Sequence, residues 1–443
     1  MNQEANWEVL KGEHHTTPLP RKKWTVAVYM AGDDIPDFLG RTIDSNVVLD
    51  LREMKRVGST SEVNIVVQTD EAREQNCYRY FISKGEDLAA DRIEMWRGDI
   101  DSGSPDTINH FIYWVARFFP AEHYFLVLWG HGRGHNDEDV YRATRSVGLT
   151  TSTRAARSIA REIKPNSGFF STTRQKLLTN KAQVRGFGYD DTSRQFLDNV
   201  EMQGVIDYAR QALEQKVDLL GFDACLMSGI EVCYQLRDSA QILIGSQMEE
   251  PGDGWPYDAV LKHLLNEPDI SPTDLAQAVV AEYADHYADE VVTQSAVNLE
   301  AAQSTAMSVS ALAEALLTTL SNDTNYRLFR QHMWGNVLTL DRFPRDGCYA
   351  DLQHFARLLL EIFPNEVALQ QAAQEVIKAL DAFVVAERHN GPGWEEELSE
   401  ASGATIYLTD RFRPSERMQN NDYLYTNLAF AKDTLWDEFL ASL

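Results

Sequence analysis

In VDLLGFDACLMSG (217–229) a near-continuous apolar run ends on an acid, an alanine and a cysteine. Apolar residues without alternation suit a strand buried on both faces of a parallel sheet. Outward from it, HYFLVLWGHGRGH (123–135) has the same form and ends on Gly-His-Gly. WTVAVYM (24–30) runs into Ala31-Gly32-Asp33, VNIVVQTD (63–70) ends on a turn-prone acid, and QILIGSQ (241–247) follows the cysteine run. Helical patterns fill the gaps at roughly 42–57, 105–119, 196–214 and 226–238. Strand and helix in turn predict an open, mostly parallel α/β sheet flanked by helices, with right-handed crossovers. YRYFIS (78–83) adds a hairpin strand near one edge.

The second half reads as helical, over 272–290, 299–321, 350–362, 365–386 and 423–442, and ATIYLTD (404–410) is a candidate strand to return to the sheet. The chain thus divides into a tail (1–23), an α/β core (24–262) and a mostly helical C-terminal region (263–443) packed on the core.

The formal net charge is −26 over 443 residues. Such a chain repels nucleic acid and anionic membranes at long range and attracts basic partners. No run of eighteen apolar residues offers a membrane span, and MNQEANWEVLKGEHHTTPLPRKK (1–23) has no apolar core of a secretory signal, so a cytoplasmic location is expected. One segment departs from the overall charge. Residues 133–185 hold eleven Lys or Arg against four Asp or Glu, a local charge of +7, and read as a long exposed loop.

The cysteines, Cys77, Cys225, Cys233 and Cys348, form no C-x-x-C pair, which argues against a zinc site or a disulfide scaffold. His131 and His135 have an H-x3-H spacing, but Gly132 and Gly134 argue against a metal-binding helix. No phosphate loop and no EF-hand loop occurs. No cofactor is expected; a calcium requirement stays open.

In open α/β sheets reacting groups gather at the carboxyl ends of strands. His131 and Cys225 both stand just past such ends. A free thiol titrates near about 8.5, so an imidazole beside it would take its proton and later return it to a leaving amine. A helix starting at 226 would further favour the thiolate, and the N–H groups of Gly132 and Cys225 would form an oxyanion hole. Asp223 and Asp253 would give such a cleft two carboxylates suited to an Arg or Lys side chain. Plainer readings stand beside these. Cys225 could be a small core residue, His131 a hydrogen-bonded structural residue, Asp223 a helix N-cap and Asp253 a turn residue between Gly252 and Gly254.

WTVAVYMAGDD, YFLVLWGHGRG, DLLGFDACLMSGIEV and GSQMEEPGDGWPYDAVL together resemble the clostripain-like cysteine peptidases of the caspase-like clan, whose hallmark is His-Gly after one strand and Ala-Cys after the next. YADLQHFARLL, GATIYLTD and YTNLAFAKDTLWDEFL extend the resemblance over nearly the whole chain. It implies a caspase-like fold, a His131–Cys225 dyad, Asp223 and Asp253 in the S1 pocket, cleavage of protein or peptide substrates after Arg and often Lys, and self-cleavage between His and Cys, here within 133–185. Gly32-Asp33-Asp34 and the length of the basic segment depart from the family pattern. Two other readings are an intracellular signalling or defence protease, held as a zymogen until a partner activates it, and a non-catalytic binding module on the same sheet.

Overall fold

The computed structural model describes residues 7–10, 18–32, 44–71, 76–98, 100–132, 134, 187–190, 195–340, 348–391, 398–409 and 425–443. The basic segment 133–185 lies outside the described residues, Gly134 apart, as do Asp33, Asp34 and His135.

The apolar runs form the central strands. These are β2 (Lys22–Gly32), β3 (Val63–Glu71), β6 (Ala121–Trp129), β9 (Val217–Asp223) and β10 (Ala240–Gly245), beside β1 (Trp7–Val9), β4 (Asn76–Phe81), β5 (Arg92–Arg97), a hairpin of β7 (Phe187–Asp190) and β8 (Gln195–Leu197), β11 (Val292–Asn298), β12 (Cys348–Asp351), β13 (Val384–Asn390) and β14 (Thr405–Leu408). The main sheet has ten strands in the order β1-β5-β4-β3-β2-β6-β9-β10-β11-β13. From β3 through β2, β6 and β9 to β10 the pairings are parallel. Antiparallel strands extend both edges.

Alternation along each strand feeds two cores. Val127 and Trp129 pack with Val26, Leu219 and Ile244 under α1 (Asp44–Val57). Leu126 and Leu128 pack with Tyr29, Leu220 and Phe222 under α2 (Pro105–Phe118) and α3 (Asn199–Ala212). Each fully buried Val, Leu or Ile side chain stabilises the fold by roughly 1.5–3 kcal/mol. After β9 come α4 (Ile230–Leu236), α5 (Tyr257–Asn266) and α6 (Pro272–His286). Then come α7 (Ala302–Leu320), α8 (Asp323–Met333), α9 (Leu352–Ile362) and α10 (Val367–Phe383). Two short helices, α11 (Ala429–Asp433) and α12 (Trp436–Ser442), close the chain. α5 and α6 share the α1 face, whereas α7, α9 and α10 build the other.

Several elements differ from the sequence expectation. The strand expected over 404–410 does not return to the main sheet. β14 pairs with β12 in a separate ladder, because β11 and β13 already occupy the positions beyond β10. The segment 365–386 stops being helical at Phe383, where β-branched Val384 and Val385 start a strand. The helix expected over 423–442 is broken into shorter pieces. Residues of the 1–23 segment supply β1, paired with β5.

The helix expected from 226 begins instead at Ile230, with Gly229 as N-cap. Leu226 has φ 65°, a left-handed conformation that ordinary residues avoid and that stops a helix from starting there. The Leu226 N–H donates to Met248 O at 2.9 Å and the Ser228 N–H to Ser246 O at 3.1 Å. The chain after the cysteine is therefore tied to the chain after β10 rather than wound on itself.

Candidate active site

β6 and β9 are neighbours, and their last residues, Trp129 and Asp223, are register partners. The Gly130 N–H donates to Asp223 O at 3.2 Å and carries the pairing one step further. His131 stands two residues past Trp129, and Cys225 two residues past Asp223. Parallel pairing thus brings the His and Cys segments to one crevice.

Gly132 makes the closest approach. A Cβ there would lie 2.6 Å from Cys225 O, 3.2 Å from Cys225 N and 2.9 Å from the Ala224 Cβ. Only a glycine lets the His-Gly backbone rest directly on Ala-Cys.

The Cys225 Sγ accepts the Glu250 N–H at 3.3 Å. A donor aimed at sulfur favours the thiolate. It takes the place of the helix terminus expected at 226, which does not exist. Cys225 packs on the α1 face with Trp129, Trp255 and Tyr257. Both Cys225 and His131 are only 1% exposed.

Asp223 is fully buried at the end of β9, so it is not the cap of α4. Its Oδ2 accepts the Trp255 N–H at 3.1 Å and the Tyr257 hydroxyl at 2.9 Å. Gly254, at φ 65°, packs against the same carboxyl. Burial pushes Asp223 up to about 6, against the pull of these donors. Asp253 is exposed on the turn closed by Gly254 N–H to Pro251 O at 3.1 Å. It lies close enough to raise Asp50 and Tyr287 electrostatically.

Other residues of this site were not singled out from the sequence. Glu250, fully buried, accepts from Gln294 Nε2 at 3.2 Å; burial first, then the Asp223 charge, hold its carboxyl well above the usual range. Asp50 of α1 accepts the Trp129 indole N–H at 2.7 Å and is raised by burial, then by Asp223. Tyr287 donates to Gly254 O at 2.6 Å. A signal for Asp50 was present. It lies on the stripe of Val47, Leu51 and Met54, where an acid on an otherwise apolar helix face needs a reason.

A family model described as "Clostripain family" (peptidase C11) matches residues 28–164 and 175–442. Clostripain from Hathewaya histolytica is 24% identical over 171 residues, a match spanning 38% of this chain and 25% of that protein. An inactive zymogen C11 protease from Parabacteroides distasonis superposes with a TM-score of 0.60 at 18% identity, over 94% of this chain and 99% of that one. A secreted C11 cysteine protease from Bacteroides thetaiotaomicron, in complex with an irreversible peptide inhibitor, gives 0.58 at 19% identity, over 92% and 98%. The structural likenesses bear on the fold, and the fold class is the caspase-like α/β sheet expected from the sequence. With the family model covering most of its length, and the His-Gly and Ala-Cys segments meeting at adjacent strand ends, the chain belongs to the clostripain family of cysteine peptidases.

Proposed function

We propose that the chain is an endopeptidase that cleaves after Arg and Lys, with Cys225 as nucleophile and His131 as proton carrier. The observation that carries this reading is the thiol at the end of β9, set between the His-Gly segment and a buried group of acids. The Cys225 thiolate attacks the scissile carbonyl carbon and a C–S bond forms. Charge moves to the carbonyl oxygen, which the N–H groups of Gly132 and Cys225 receive. The C–N bond breaks as the imidazolium of His131 gives its proton to the leaving amine. Water then loses a proton to His131, attacks the thioacyl carbon and expels the thiolate. The chain's own groups and water balance every step, so no cofactor is invoked. Asp223, with Asp253 at the rim, would hold the cationic P1 side chain.

A panel of reporters differing only at P1 tests this. Wild type is expected to hydrolyse Arg and Lys reporters and Cys225→Ala to leave them intact. Equal rates for the two proteins overturn the dyad, and preference for a neutral P1 overturns the specificity.

The near-complete burial of His131 and Cys225 favours a second reading of the same chemistry. We propose that this form is a zymogen, opened by cleavage or an activating partner. The basic segment 133–185 offers eleven Lys or Arg as cleavage points. Intact-mass analysis is expected to find fragments ending there in wild type and none in Cys225→Ala; full activity of an uncut chain alone in solution overturns it.

A further inference from the structure

We propose that Glu250 is a specificity-determining residue, sharing one proton with Asp223 in the empty site and releasing it when a cationic P1 side chain enters. The proposal rests on the Arg/Lys reading above and adds a residue and a proton to it.

The geometry is that of two acids meeting out of water. Both side chains are fully buried, and each keeps one oxygen, Asp223 Oδ1 and Glu250 Oε2, with no hydrogen-bond partner among the described residues. The two carboxyl groups lie close enough that the Asp223 charge acts on Glu250. Two buried carboxylates that close do not both ionise, so the pair keeps one hydrogen. It is placed on Glu250, whose carboxyl is held well above the usual range by burial and then by the Asp223 charge.

Among the described residues, no Lys or Arg is among the main influences on either carboxyl. From α1, Asp50 and Glu53 face the pair; from α5, Tyr257; from α6 and its C-cap, Tyr283 and Tyr287; Asp253 of the turn acts on Asp50 and Tyr287; and beside them stand Cys225 and, on the adjoining segment, His131. Gln294 on β11 donates to Glu250 but is neutral. The bases of this side, Arg56 and His286, act on Glu53. The Tyr283 hydroxyl is buried with no partner and acts electrostatically on Glu250, Asp223 and Cys225. A buried acid pair with spare oxygens, an idle hydroxyl beside it and no Lys or Arg countercharge among the described residues is arranged for a guest that brings positive charge and donors of its own. Entry of a guanidinium or ammonium group stabilises both carboxylates, and the Glu250 proton leaves to solvent. Charge balances: one cation enters and one proton departs.

Titration calorimetry of Cys225→Ala with an Arg-ended peptide tests this, in buffers of differing ionisation enthalpy near neutral pH. About one proton released per peptide bound is expected. Adding Glu250→Gln keeps a donor towards Asp223 and should bring the release close to zero. In the active enzyme Glu250→Gln should raise KM for Arg reporters at least roughly tenfold with kcat little changed. Peptide binding without proton release, or release unaltered by Glu250→Gln, overturns the proposal and leaves Arg specificity standing. The parent titration decides even where the variant does not fold. Cleavage after neutral residues overturns both.

Discussion

Two regions of the sheet bury charge, and they solve the problem in opposite ways. Around β3–β5 the buried charges of Lys55, Asp91, Arg79 and Glu94 meet opposite partners. Lys55 Nζ meets Asp91 at 2.5 Å, and Asp91 also accepts from the Ser83 N–H and hydroxyl. Arg79 lies between the rings of Trp7 and Trp114, at 4.0 and 4.9 Å, and donates to Glu94, Gln68 and His110. Burial, reinforced by the Arg79 charge, holds His110 down at about 4, so the ring is a neutral acceptor. At the carboxyl ends of β9 and β10, in contrast, Asp223 and Glu250 crowd together with Asp50 of α1, each raised first by burial and, among the described residues, with no Lys or Arg as a main influence on it. Desolvation penalises both regions alike. The first is met within the chain; the second, in the proposed reading, is completed by the substrate, as a binding site rather than a scaffold would be.

Breaking the scaffold side should have the largest effect on stability. Arg79→Met strands Glu94 in the core and should cost about 3–5 kcal/mol, read as a fall in the urea midpoint, with P1 preference untouched. A variant that stays stable but changes P1 preference would erase the distinction between the two regions. On the other side, Asp223→Asn removes the anion proposed to hold a cationic P1 side chain. It should lower kcat/KM for Arg reporters roughly a hundred- to a thousandfold, about 3–4 kcal/mol. A loss below about fivefold would return Asp223 to the role of an anchor for Trp255 and Tyr257.

Glu231 sharpens the contrast as a buried acid met by neutral donors. Its Oε1 accepts the Tyr407 N–H at 2.8 Å and the Tyr425 hydroxyl at 2.9 Å, tying α4 to the C-terminal segments. Burial raises it to about 7. A raised carboxyl binds its proton more tightly in the folded chain. Its contribution is therefore full below the unfolded value near about 4 and fades as pH rises through about 7. Glu231→Gln should flatten the decline in melting temperature over that window, by up to about 3 kcal/mol in stability. An unchanged slope would assign the decline to other groups.

The central strands were legible because their side chains are apolar on both faces, as in FLVLW and VDLLGF. β11 was not. Its VTQSAVN buries Thr293, Gln294 and Ser295, whose polarity hides the strand but serves the Gln247 N–H, Glu250 and Ser228. β13 was hidden for another reason, since it follows α10 with no Gly or Pro between them. The positions of His131 and Cys225 at neighbouring strand ends could be read from the motifs. Leu226 could not, because a leucine in left-handed conformation is imposed by contacts from residues 246–248. Glu250 looked like one acid among several in EEPGDG. What distinguishes it is Gln294, 44 residues away, and Asp223 across the crevice.

The neighbouring positions of β6 and β9 also govern what a cut in the intervening chain would do. Covalent continuity would be lost at the middle of the sheet, yet the two fragments would share a five-residue parallel ladder and both cores. A nicked molecule would migrate as two bands in denaturant and as one species in buffer. Its refolding would become second order, slowing on dilution, because each fragment would lack the strand that completes the other.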